Sequence, residues 1–163
     1  MIHIVTRTCG TLAAGGIILI ALAAFAPLSA QQAGPVAGGV SADKPFAEHH
    51  IALQLTDDDA KKQGLVISVA NNLLKFYGPD KIAIEVVAFG PGITLLRADS
   101  SNRTYVDSLI SQGVQFDVCM NTVETIERDT GHPVPLNPKA KQVEAGVAQI
   151  LALTEKGYTL VRP

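Results

Sequence analysis

Cys119 is the residue in this chain best placed to do chemistry. It stands in Val114-Gln115-Phe116-Asp117-Val118-Cys119-Met120-Asn121-Thr122. Alternation puts Val114, Phe116 and Val118 on one face of a strand and leaves Cys119 at its C-terminal end. A helix start signal follows at once, in which Asn121 and Thr122 are expected to cap and Asn121-x-x-Glu124 resembles a capping box. Amides at a helix N-terminus stabilise a thiolate, and the thiolate is the nucleophilic form of cysteine. The competing reading is equally simple: Cys119 as a small buried apolar residue, with Asn-Thr as a cap and nothing more.

Other candidates are weaker. Gly90-Pro91-Gly92 follows a strand and can line a pocket beside Cys119, but it lacks the spacing of a dinucleotide fingerprint or a P-loop. It reads first as a tight turn. Asp57-Asp58-Asp59 offers carboxylates suited to a hard cation, yet the alternating ligands and glycine of a calcium loop are missing, so helix capping is the expectation. His49 and His50 are adjacent and point to opposite faces of a strand, a poor chelating pair. His132 lies in a proline-rich loop and reaches Cys119 as a base only if that loop folds back. No Ser-His-Asp pattern, HExxH or paired CxxC is present. No metal and no cofactor are expected.

The elements that position these residues alternate along the chain. A strand over His50–Thr56 ends at the aspartates. A helix over Ala60–Tyr77 follows, with Leu65, Val66, Val69, Leu73 and Phe76 as its apolar face and Gly78-Pro79 as its stop. Lys81–Phe89 is nearly all apolar, as in a strand covered on both faces. A helical stretch begins at Ile93. Asn102 is expected to cap a helix with Tyr105, Val106, Leu109 and Ile110 on its apolar side. Strand Val114–Cys119, a helix to Asp129, a strand over Val143–Val147, a helix over Gln149–Lys156 and a strand over Tyr158–Arg162 complete the order. The segment from Gly131 to Pro138 holds three prolines and is expected to be a loop, a candidate lid or interface. This order predicts a single-domain α/β three-layer sandwich around a mostly parallel sheet, with chemistry at the carboxyl ends of the strands.

Residues 1–30 carry one basic residue, a long apolar stretch from Thr11 to Ala26, and Pro27-Leu28-Ser29-Ala30 before polar Gln31-Gln32. This is the pattern of a secretory signal peptide cleaved after Ala30. The alternative is an uncleaved membrane anchor. Residues 31–45 read as a flexible leader and 46–163 as the folded domain. Beyond residue 30 there are twelve Lys and Arg against fifteen Asp and Glu, a charge of −3. That balance gives no basic footprint for nucleic acid and no polybasic membrane patch. A periplasmic or secreted chain then carries a single thiol, which cannot form an intrachain disulfide.

The domain resembles the DsrE/DsrF-like family of small sulfur-relay proteins. The resemblance is carried by the opening strand with its Asp cluster, by Ile84-Glu85-Val86-Val87-Ala88-Phe89-Gly90-Pro91-Gly92, by Gln112-Gly113-Val114-x-Phe116-x-x-Cys119-x-Asn121-Thr122, and by Gly157-Tyr158-x-x-Val161-Arg162-Pro163. It implies a compact α/β sheet fold that assembles into trimers or hexamers. It also implies sulfane sulfur carried as a persulfide on Cys119, with a protein or small sulfur compound as donor and acceptor. The site would comprise Cys119 supported by Asn121, Thr122, Gly90, Gly92 and His132. The well-understood relays of that family are cytoplasmic, whereas this chain has the features of an exported one. A non-catalytic oligomeric binding protein and a redox-sensing thiol are the alternatives.

Overall fold

The computed structural model describes Lys44 and residues 46–163. The expected signal peptide and most of the expected leader lie outside the described residues. Five strands form one sheet: β1 (His49–Leu55), β2 (Ile82–Ala88), β3 (Val114–Cys119), β4 (Lys141–Val143) and β5 (Thr159–Val161). The order is β4-β3-β2-β1-β5 and every pairing is parallel. Helices α1 (Ala60–Tyr77), α2 (Arg103–Ser111), α3 (Met120–Thr130) and α4 (Gly146–Glu155) connect them, with a 3-10 segment at Gly90–Leu96.

Topology decides which face each helix covers. From β1 to β4 the chain steps repeatedly in one direction, and right-handed crossovers then put α1, α2 and α3 on the same face. The connection from β4 to β5 runs back across the sheet, so α4 lies on the opposite face. The core has the corresponding two parts. Leu53 and Leu55, Ile84 and Val86, and Phe116 and Val118 pack with Val66 and Ala70 of α1, Val106 of α2 and Val123 of α3. Ala52, Ala83 and Val87, pointing the other way, pack with Ile150 and Leu153 of α4 and with Tyr158. All seven residues of β2 are buried, as its unbroken apolar run predicts for a central strand.

Local signals placed several boundaries. Asp59 caps α1, its Oδ1 accepting from the N–H groups of Lys61 and Lys62 at 2.9 and 3.0 Å. Gly78 closes α1 at φ 87°. The buried stripe of α1 is rotated from the expected one: Gln63, Val66, Ala70 and Leu74 face inward, while Leu65 and Phe76 are exposed. Gln63 is tolerated inside because its Nε2 donates to Thr94 Oγ1 at 2.8 Å and its Oε1 accepts from Asn102 at 3.3 Å. Asn102 is thereby drawn away from capping α2. In α2, Val106 and Leu109 are buried but Tyr105 is exposed.

Two expectations near the C-terminus are corrected. The strand expected over Val143–Val147 is instead Lys141–Val143, and Gly146 and Val147 open α4. The Gly131–Pro138 segment is no free lid. It is fastened to the end of the 3-10 segment by Asn137 N–H to Leu96 O at 2.8 Å and to the chain just after it by Ala98 N–H to Pro135 O at 2.9 Å. Buried Asn137 also donates to Asp107 Oδ1 at 2.7 Å.

Candidate functional site: a thiol between two helix N-termini

In a parallel sheet, a crevice opens where the connections leaving two neighbouring strands go to opposite faces, outside their carboxyl ends. Here those strands are β3 and β4. The chain leaving β3 enters α3 on one face, and the chain leaving β4 enters α4 on the other. Cys119 is the last residue of β3, so it sits at that switch point, 5 % exposed.

Cys119 is itself the N-cap residue of α3, with extended φ −74° and ψ 112°. Asn121 and Thr122 are therefore inside the first turn, at the second and third helical positions, rather than capping it as expected. These are the positions whose N–H groups an N-cap side chain normally receives. The neutral thiol makes no cap bond of ordinary length. The backbone N–H groups of both residues still favour the thiolate, Thr122 more than Asn121, whose N–H donates to Glu144 O.

Burial pushes the Cys119 thiol up. Against it act the Thr122 hydroxyl and the backbone N–H groups of Gly146, Thr122 and Asn121, and their sum holds the thiol below the ordinary cysteine value. Gly146 is the first residue of α4, so the sulfur is addressed by the N-termini of two helices on opposite faces of the sheet. Opposing them, Glu144 O lies 3.9 Å from Sγ and accepts from the thiol form; it also accepts from Asn121 N–H at 3.1 Å.

Gly90 enters through Thr122. The Gly90 N–H donates to Thr122 Oγ1 at 3.0 Å, which leaves the single hydroxyl proton to point at the sulfur. Gly92 has a packing role. A Cβ there would lie 2.4 Å from Leu55 O, so only glycine lets the 3-10 segment lie against the end of β1. A pocket of about 410 Å³ opens beside these residues, lined by Gly90, Pro91, Asn121, Thr122, Thr125 and Ile126. Cys119 lies behind the Asn121-Thr122 wall and is not itself in the lining.

His132 is not brought to the thiol. It follows Gly131, the αL cap that ends α3. With 1.5 Å per residue, the eleven-residue helix separates it from Cys119 by about 16 Å. Asp57 pairs with Lys62 at 2.8 Å and Asp59 caps α1, so the aspartates serve the helix start. Rings separate the adjacent histidines: His49 packs on Tyr77 and His50 on Tyr158. Among the described residues no cluster of three or more His, Cys, Asp or Glu is arranged to hold a metal ion, and no helix is long and apolar enough to cross a membrane.

Reading the sequence alone misses two features of the surroundings. One is Gly146, whose N–H meets the sulfur from a distant part of the chain. The other is a buried polar group on the α4 face, made by Glu85, Gln115, Asp117 and Gln149. The polar residues at alternate positions of β3, Gln115 and Asp117, were the available hint.

No family model matches the chain, and no curated protein matches it. Among solved structures it is similar to that of the protein of unknown function MTH1491 from Methanobacterium thermoautotrophicum. The two are 31 % identical with a TM-score of 0.64, over 71 % of this chain and 100 % of the other.

Proposed function

This chain belongs to one family with the methanobacterial protein MTH1491, and from the chemistry of its own site we propose that it handles sulfane sulfur, carried as a persulfide on Cys119. The observation that supports the proposal is the environment of the thiol: a strand-end cysteine at the β3–β4 switch point, facing N–H donors from both adjoining helices and the Thr122 hydroxyl. Such donors favour the thiolate and equally favour the terminal anion of a persulfide. The resemblance to DsrE/DsrF-like sequences points the same way and adds a three-layer fold, assembly as a trimer or hexamer, and donor and acceptor partners. The pattern of residues 1–30 adds export, which makes the periplasm or the exterior the place of action.

The step is a displacement. With thiosulfate as donor, the Cys119 thiolate pair attacks the outer sulfur, a Cys–S–S⁻ bond forms, and the sulfur–sulfur bond breaks with its pair leaving on sulfite. Nothing is left to oxidise or protonate. The protein is a carrier or transferase in this scheme, and Thr122 and Gly146 stabilise the anion before and after transfer. Incubation with thiosulfate or polysulfide followed by intact mass tests it. One added sulfur on wild type and none on Cys119→Ser is the expected result. No addition to wild type, or equal addition to both, sinks it.

A second reading rests on the burial of Cys119 and on its contact with Glu144 O. A thiol that stays inside is a packing residue of a non-catalytic binding protein. Alkylation of the native protein separates the two: a rate as slow as global unfolding supports the structural role.

A further inference from the structure

The α4 face of the sheet holds two carboxyl groups where apolar residues would be expected. Glu85 on β2 is 6 % exposed and Asp117 on β3 is 0 % exposed. Two amide groups bridge them. Gln115 Nε2 donates to Glu85 Oε2 at 2.9 Å and to Asp117 Oδ1 at 2.8 Å. Gln149 Nε2 donates to Asp117 Oδ2 at 3.0 Å and to Glu85 Oε2 at 3.4 Å. Both N–H donors of each amide are thus used.

The two bridges differ in what they join. Gln115 and the carboxyl groups are all on the sheet. Gln149 is on α4, three residues after Gly146, so the two share a helix face. Asp117 and Cys119 are two apart on β3 and share a sheet face. A short chain of contacts therefore runs from Asp117 through Gln149 to the first turn of α4, and the chain entering that turn reaches the sulfur, with Glu144 O 3.9 Å from Sγ and the Gly146 N–H acting on the thiol. Apolar anchoring at this end of the helix is the close approach of Gly146 to Phe89, where an added Cβ would lie 3.0 Å from that side chain, and the bonds of Gln149 add a polar tether beside it. Ile150 and Leu153 pack into the core further along, while Val147 is 64 % exposed. Buried hydrogen bonds to carboxyl groups are among the stronger polar contacts, and their loss strands both partners.

We propose that Gln149 is a positioning residue for the Cys119 thiol: by bonding Asp117 and Glu85 it fixes the first turn of α4 on the sheet and holds the Gly146 N–H on the sulfur. The proposal takes the thiol's nucleophilic role from the reading above, but its test needs no sulfur donor. A failure of persulfide loading and a failure of this tether are therefore separate results.

The test is the titration of the Cys119 thiolate, followed by its ultraviolet absorbance and by the pH dependence of iodoacetamide alkylation. Wild type, Gln149→Met, Gln149→Ala and Leu153→Ala are compared in the full chain, with Cys119→Ser as the blank. Gln149→Met keeps the length of the side chain and removes the donors. The expected result is a titration midpoint raised in both Gln149 variants by about one pH unit, a roughly tenfold loss of thiolate at a fixed lower pH. Leu153→Ala removes core packing from the same helix. It is expected to unfold at lower denaturant with the midpoint unchanged. The proposal is overturned if the Gln149 variants titrate like wild type, if Leu153→Ala shifts the midpoint as far, or if wild type titrates no lower than an unperturbed cysteine. Should Gln149→Ala fail to fold, Gln149→Met decides.

Discussion

Cys119, at the end of β3, and Gly146, at the start of α4, adjoin across the switch point of the sheet, where Glu144 O lies 3.9 Å from the sulfur and the Gly146 N–H draws the thiol down. One residue opens a helix on one face and the other caps a helix on the opposite face. The thiol is therefore held by the fold rather than by its own turn alone.

Thr122 relays a donor from the end of β2 to the sulfur. Thr122→Val removes that hydroxyl at nearly constant shape. The thiolate titration should rise by about one pH unit, since a hydrogen bond to a charged group contributes about 1.5–3 kcal/mol. Thr122→Ser should restore most of it. Alkylation rate against pH measures both, and a Val variant that titrates like wild type would refute the relay.

Asp117 gives the protein a pH-dependent stability. Burial, and then the charge of Glu85, push its carboxyl from 3.8 up to about 7, against the pull of Lys141, Gln115 and Gln149. An unfolded Asp117 loses its proton near the ordinary value, while the folded one keeps it to about 7. Between those limits the folded chain binds more protons, so stability is full below the lower limit and is lost as pH rises through the upper one. The total is on the order of a few kcal/mol. Urea unfolding midpoints should fall between pH 4 and 7 and then level off. Asp117→Asn, which cannot ionise, should flatten that slope; an unchanged slope would mean another group is responsible.

Gly92→Ala should be among the most damaging small substitutions. The added Cβ meets Leu55 O at 2.4 Å and Leu55 C at 2.8 Å, both backbone atoms. The 3-10 segment must move off the end of β1, at a cost of about 2 kcal/mol or more. Gly64→Ala is the control, because a Cβ there meets nothing within 4 Å and Gly64 lies inside α1. That change should stabilise by a few tenths to about 1 kcal/mol. Chemical denaturation of the pair reads the contrast directly.

Asn137→Ala tests whether the proline-rich loop gates the thiol. The substitution removes the bond to Asp107, whose carboxyl is held below the usual range first by that amide and then by Lys139 and Arg103. The loss of a buried amide bond should cost about 1–3 kcal/mol. Because the loop is fastened to the Leu96–Ala98 segment and does not line the pocket, alkylation of Cys119 in the native protein should stay at the wild-type rate. Acceleration under native conditions would restore the lid.

Much of the framework follows from the chain read alone. Period-two alternation put Cys119 at a strand end, an unbroken apolar run made β2 central, and Asp59 marked the start of α1, because each depends only on neighbours in sequence. What lies opposite those residues was decided by the tertiary structure. The inward face of α1 turned to bury Gln63 because Thr94 and Asn102 satisfy its amide. The segment after Pro138 became a strand two residues earlier than its apolar residues suggest, because β3 offers a partner edge at Lys141–Val143. Gly146 became a donor to Cys119, and Asp117 found Gln149, only when the last crossover carried α4 back beneath the sheet. Periodicity reports which side of an element is apolar. Hydrogen-bond partners and desolvation are set by groups remote in sequence, and these determine whether a strand-end cysteine is a filler or a thiolate.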